Sequence, residues 1–176
     1  MSRDRDHHHR HSTRLRGYNY SQPGAYFITV CTHRRVRMFG EVVGVEVRPS
    51  EAGRMVQSTW DDLPRHFPSI TVDALVIMPN HVHGIIILTE CPTTSTLPDA
   101  ETAPLRPPTV GEIVAHLKYK SAELINQARA APGGDVWQRN YNDRIIRGAA
   151  SLDAYRRYIA LNPARWADDD ENVKRR

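Results

Sequence analysis

The stretch from Asp73 to Leu88 reads Asp-Ala-Leu-Val-Ile-Met-Pro-Asn-His-Val-His-Gly-Ile-Ile-Ile-Leu, two apolar runs either side of a Met-Pro-Asn break. Apolar, β-branched runs of this length between turn residues form buried strands. Proline cannot serve a central ladder, so Pro79 belongs in a tight turn and the two strands are expected to be antiparallel neighbours. Side chains alternate across a strand, which puts His81 and His83 on one face and Val82 on the other. Two imidazoles side by side on a rigid strand are half of a metal site. A hydrogen-bonded histidine pair in a core would show the same spacing, so the remaining donors must be sought elsewhere in the chain.

At 176 residues, 40% hydrophobic and 25% charged, the chain has the size and composition of one globular domain. Its longest apolar stretches fall far short of a membrane span. The N-terminus, Met-Ser-Arg-Asp-Arg-Asp-His, has no apolar segment that would argue for secretion, so the expected location is the cytoplasm. Cys31 and Cys91 stand far apart and outside any CxxC pattern, as free thiols of a reducing compartment do. A net charge of +4 and a pI near 9.3 lean towards anionic partners, nucleic acid first among them, although much of that charge lies in the tails.

Taken in order, residues 1–16 form a basic, His-rich lead-in without apolar periodicity, expected to be disordered. A single globular domain is expected over 17–166. Its first strand is Ala25 to Thr32, followed at once by His33-Arg34-Arg35-Val36-Arg37, where Arg34 and Arg35 are candidates for phosphate contact. Val42 to Val47 suggests a short strand. Ser50 caps a helix carrying Met55, Val56, Trp60 and Leu63, with Trp60 read as core. Residues 89–108 hold five prolines among Thr, Ser and Ala and read as a flexible insert. Thr109 then caps a helix with Glu112 as its capping-box partner. That helix displays Lys118, Tyr119 and Lys120, the two lysines being candidate phosphate contacts. Val136 to Arg147 reads as an edge segment ending in a strand, with Arg139, Arg144 and Arg147 as further candidates. The last helix is expected to start at Ser151 as N-cap and to stop before Pro163, leaving 167–176 as a frayed tail. Leu152, Tyr155 and Ile159 make its apolar stripe, and Tyr158 and Asn162, four apart, lie one above the other on its flank.

Two histidines, a tyrosine and an amide suit one reaction best. A metal held by two imidazoles and an amide keeps open positions for the non-bridging oxygens of a phosphodiester. A tyrosine hydroxyl becomes a competent nucleophile once its phenolate is stabilised by metal or neighbouring cations. A covalent phosphotyrosine conserves the energy of the broken bond and can be resealed by a hydroxyl, which is strand transfer rather than hydrolysis. Tyr155 is the rival nucleophile, lying more squarely on the apolar stripe. A competing reading is a zinc hydrolase using His81, His83 and a carboxylate such as Asp73.

The run Asp73 to Leu88 with His81-Val82-His83, Trp137-Gln138-Arg139 through Arg147, and Tyr158-Ile159-x-x-Asn162-Pro163 together resemble the HUH single-tyrosine transposases, specifically the REP-associated tyrosine transposase branch. The resemblance runs from about Tyr26 to Trp166, interrupted by the insert. It implies an α+β fold, a ferredoxin-like antiparallel sheet with helices on one face, in a protein that dimerises. It implies Tyr158 as the nucleophile, chosen over Tyr155, forming a 5′-phosphotyrosine and a free 3′-hydroxyl. His81, His83 and Asn162 would hold a divalent ion, Mg or Mn. The substrate would be single-stranded DNA with hairpins, and the tyrosine helix can serve the histidines of a partner subunit. A protein of the same fold that binds hairpin DNA without transposing it is the alternative. Relatives often carry a histidine after the position of Tyr141, whereas Asn142-Asp143-Arg144 stands here.

Overall fold

The computed structural model describes residues 17–90, 106–169 and 171–172. The His/Arg-rich lead-in, Cys91 with most of the Pro/Thr-rich insert, and the last four residues lie outside them. The described chain opens with strand β1 (Gly24–Cys31) and a single 3-10 turn (His33–Arg35), then a side hairpin of β2 (Gly40–Val43) and β3 (Glu46–Pro49). Helix α1 (Glu51–Asp61), the short α2 (Leu63–His66), β4 (Ile70–Met78), β5 (His81–Leu88) and α3 (Val110–Ala128) follow. Strand β6 (Asn142–Ile146), helix α4 (Ala149–Leu161) and a 3-10 segment (Pro163–Asp168) complete it.

Four strands form one sheet in the order β4-β5-β1-β6, and every neighbouring pair is antiparallel. Setting aside the side hairpin and α2, the order β1-α1-β4-β5-α3-β6 is a βαββαβ unit with its first and third strands central. That is the expected ferredoxin-like sheet. Met78 pairs with His81 across Pro79-Asn80, so the Met-Pro-Asn break is indeed a hairpin turn. Its carbonyls are gripped from outside: Pro79 accepts from the amides of Met38 and Phe39, and Asn80 from that of Thr32.

Sequence alternation sorts the strands into two faces. Tyr26, Ile28, Val30, Val82 and Ile86 point to the face covered by α1 and α3, where Trp60, Leu63, Ile113 and Leu117 complete the main core. Gly84 belongs to this face because a Cβ there would lie 2.4 Å from the Trp60 ring. A one-residue bulge between Val72 and Leu75 keeps both on the core side and turns Asp73 and Ala74 to the other. There Phe27, Ile85, Ile146 and Ile159 form a smaller cluster under α4. Helices thus cover both faces, α4 being the addition to the one-sided arrangement expected.

Local chemistry explains the ends. Ser50 Oγ accepts from the Gly53 amide, and the Thr109/Glu112 capping box closes in both directions. The segment Val42 to Val47 is two strands rather than one, because Gly44 at φ 65° turns the chain between them. Helix α4 starts at Ala149 with Gly148 (φ 80°) as its cap in place of Ser151, since the glycine already supplies the turn.

Candidate active site

His81 and His83 lie on the α4 face of β5, both buried and paired in register with Cys31 and Thr29 of β1. Thr29 Oγ1 is 2.9 Å from His83 Nδ1, and Asn80 Oδ1 is 2.9 Å from His81 Nδ1. The Asn80 amide nitrogen donates to the carbonyl of Glu171 (2.6 Å), so its oxygen is the acceptor facing His81. His81 therefore carries its proton on Nδ1 and presents the lone pair of Nε2. Burial, reinforced by Arg35, lowers the His81 pKa from 6.5 to about 3. Burial and then His81 lower that of His83 to about 3, against a smaller opposing pull from Asp169. Both rings are neutral at physiological pH, the state in which imidazole binds metal.

Helix α4 brings the tyrosine. Tyr158 Oη sits 3.4 Å from His83 Nε2 of the same chain, with its ring edge-on to Phe27 and its residue partly exposed. Tyr155 stacks instead on Phe27, ring centroids 4.6 Å apart, as its place on the apolar stripe predicted. Asn162, buried at the end of α4, donates from Nδ2 to Asp169 Oδ2 at 3.1 Å. That carboxylate oxygen is 3.9 Å from His81 Nε2, and Asp169 keeps only 5% of its side chain exposed. Ligand atoms of His81, His83 and Asp169 all lie within 4.8 Å of one another.

The donor set fits a divalent cation. His81 Nε2 and Asn162 Oδ1 are buried acceptors with no hydrogen-bond partner, and both side chains adjoin the Asp169 carboxylate. Lone pairs and a negative charge gathered out of water call for a cation between them. Two nitrogens and a carboxylate oxygen suit Mn or Mg among other divalent ions. Phe27, Thr29, His83, Tyr158, Asn162 and Asp169 line an open cavity of about 730 Å³, which Arg144 and Arg165 also border.

The basic residues singled out in the sequence divide. Arg144 reaches the cavity, and Arg34, Arg139 and Arg147 are exposed away from its lining. Arg35 is committed to an ion pair with Glu171. Lys118 is half-buried and donates to the carbonyls of Gln138 (2.6 Å) and Arg139 (2.9 Å), with burial lowering its pKa. It ties α3 to the chain before β6, on the far side of the sheet. Lys120 pairs with Glu123 at 2.7 Å on the same helix. Asp73 is also engaged elsewhere: Arg156 binds it through two nitrogens (2.6 and 3.1 Å) and holds its carboxyl below the usual range. It is no part of the histidine cluster, whose carboxylate is Asp169 instead. Asp169 and Arg165 escaped sequence reasoning, since no spacing rule links a residue beyond Pro163 to a strand some 80 positions earlier.

No family model matches this chain. An uncharacterized protein of Haemophilus influenzae strain Rd is 38% identical over 169 residues, covering 92% of each chain. The chain belongs to that protein's family. Among solved structures, a REP-associated tyrosine transposase bound to a REP hairpin is similar at a TM-score of 0.58 and 20% identity, over 86% of this chain and 73% of the other. This chain has the REP-associated tyrosine transposase fold. A proposed transposase of Deinococcus radiodurans R1 overlaps 83% of this chain and 94% of its own at a TM-score of 0.47 and 18% identity, too distant to add to that. The likeness drawn from His81-Val82-His83 and the Tyr158 helix thus has its counterpart in the transposase fold. Among the described residues, no helix is long and apolar enough to cross a membrane.

Proposed function

We propose that this protein is a metal-dependent enzyme that cuts and rejoins single-stranded DNA, with Tyr158 as its nucleophile. One observation carries the reading: a phenol hydroxyl stands 3.4 Å from one of two neutral, buried imidazoles that share a cluster with a carboxylate. The transposase of like fold is described bound to a REP hairpin, which supports hairpin-bearing DNA as the substrate class. His81, His83 and Asp169 would hold a Mg or Mn ion, which would supply Lewis-acid charge to a phosphodiester. Asn162 takes a positioning role towards Asp169, and its unpartnered oxygen is a further donor.

The rest is done by the chain's own groups. Thr29 and Asn80 fix the two rings, so His81 and His83 need no reorganisation. Arg144 and Arg165 oppose the phosphate charge along the cavity. Tyr158 Oη attacks phosphorus and the bond to the 3′ oxygen breaks. The phenol gives its proton to solvent, which its partial exposure allows, and the departing 3′ oxygen takes one up. The product is a 5′-phosphotyrosine and a free 3′-hydroxyl. Attack by a 3′-hydroxyl reverses these changes, restoring the phosphodiester and freeing Tyr158. Tyr158 faces its own chain's His83, so one chain can supply the whole set.

Incubation with single-stranded hairpin DNA and Mg or Mn should yield a protein–DNA adduct that survives denaturing electrophoresis, and Tyr158→Phe should abolish both adduct and cleavage. Cleavage that persists in Tyr158→Phe would refute the nucleophile. Hairpin binding with no adduct under any metal would favour a binding protein of the same fold.

A further inference from the structure

The chain beyond α4 does more than end the fold. Asp169 Oδ1 accepts the Glu171 amide at 2.7 Å, which turns the backbone and presents Oδ2 to His81. The Glu171 carbonyl accepts from Asn80 Nδ2, and the same Asn80 receives the His81 Nδ1 proton. The Glu171 carboxylate pairs with Arg35 and accepts a contact from Cys31 Sγ at 3.6 Å. Asn172 Oδ1 accepts from Arg37 (2.7 Å), while Asn172 Nδ2 donates to the Trp166 carbonyl (2.6 Å). The Arg37 guanidinium lies 5.5 Å from the Trp166 ring centroid.

Two arginines of the turn after β1 therefore fasten this segment at separate points. The turn itself is unusual. Arg34 and Arg35 occupy the left-handed region at φ 52° and 56°, which side chains other than glycine seldom adopt. Such backbone persists where the surroundings hold it in place, and here it delivers Arg35 to Glu171.

We infer that Trp166, Asp169, Glu171 and Asn172 act as a strap that completes the metal site, with Arg35 and Glu171 as positioning residues. Neither side chain belongs to the donor cluster. Their ion pair holds Asp169 against the histidines and Asn80 in the orientation that fixes the His81 tautomer. The inference rests on the metal-centre reading above, and two readouts on the full chain separate the two.

In metal-free protein, 15N NMR of the imidazoles should find His81 protonated at Nδ1, and Arg35→Glu or Glu171→Arg should turn it into a tautomer mixture. By calorimetry, each variant should bind Mn2+ about tenfold more weakly, the usual scale for a group behind a ligand. Combining Arg35→Glu with Glu171→Arg restores the pair with reversed polarity and should recover both properties. Where a reversal does not fold, Arg35→Gln and Glu171→Gln carry the same test. Unchanged tautomer and affinity in the single variants, or no recovery in the double one, would overturn the strap. A tautomer that responds while wild-type protein takes up no Mn2+ would leave the strap standing and overturn the metal centre.

Discussion

The two faces of the sheet follow different rules. On the α1/α3 side, packing is continuous and apolar, close enough that Gly84 must lack a side chain under Trp60. On the α4 side, apolar packing ends with Phe27, Ile85, Ile146 and Ile159. Beyond it, towards the Met78–His81 hairpin, buried polar groups enter: Thr29, His81, His83 and Asn162, beside Cys31 and Met78. Strand β5 serves both faces through simple alternation. Stability and chemistry are thereby assigned to different residues of one strand, and each should be open to change without the other.

Injury to the core face should have the largest effect. Trp60→Ala removes a fully buried indole and should cost about 3–5 kcal/mol, read by urea denaturation. If the faces are independent, the folded fraction should keep wild-type Mn2+ affinity.

Acid should act on the opposite face. In metal-free protein the folded pKa values of His81 and His83 are about 3 against an ordinary 6.5. Between those values the unfolded chain binds more protons, so stability should fall as pH drops from 6.5 towards 3. Two protons give a slope of at most about 2.7 kcal/mol per pH unit. Denaturation at stepped pH checks this, and His83→Asn should flatten the slope.

Asp169→Asn is a smaller, sharper change. It should weaken Mn2+ binding at least about tenfold while moving stability by less than about 1 kcal/mol. Equal losses in both would mean that the carboxylate serves packing rather than metal.

The two tyrosines of α4 give the finest contrast. Tyr155→Leu loses the stack on Phe27 and should cost about 0.5–1.5 kcal/mol. Tyr158→Phe should stay within about 0.5 kcal/mol of wild type.

What was legible in the sequence was what local pattern encodes. β-Branched runs marked β1, β4 and β5, Pro79 marked the hairpin, and capping residues marked α1 and α3. Alternation placed His81 and His83 together, and helical spacing set Tyr155 inward with Tyr158 on the flank. The strap was not legible. Asp169 and Glu171 fall in a polar stretch without periodicity, and their meaning comes from Arg35 and Asn80, distant in sequence. The backbone partners of Lys118 were hidden for a related reason: the carbonyls of Gln138 and Arg139 that it meets belong to another segment of the chain.

Tyr158, held at the histidine pair, is the residue we propose to take the DNA strand. Trapping the reaction on hairpin DNA with Mn2+, digesting both components and mapping the linked peptide by mass spectrometry tests it most directly. The expected product is a nucleotide remnant joined through a 5′-phosphate to Tyr158 alone. A remnant on Tyr155 or any other residue, or cleaved DNA with no linked peptide, would contradict it.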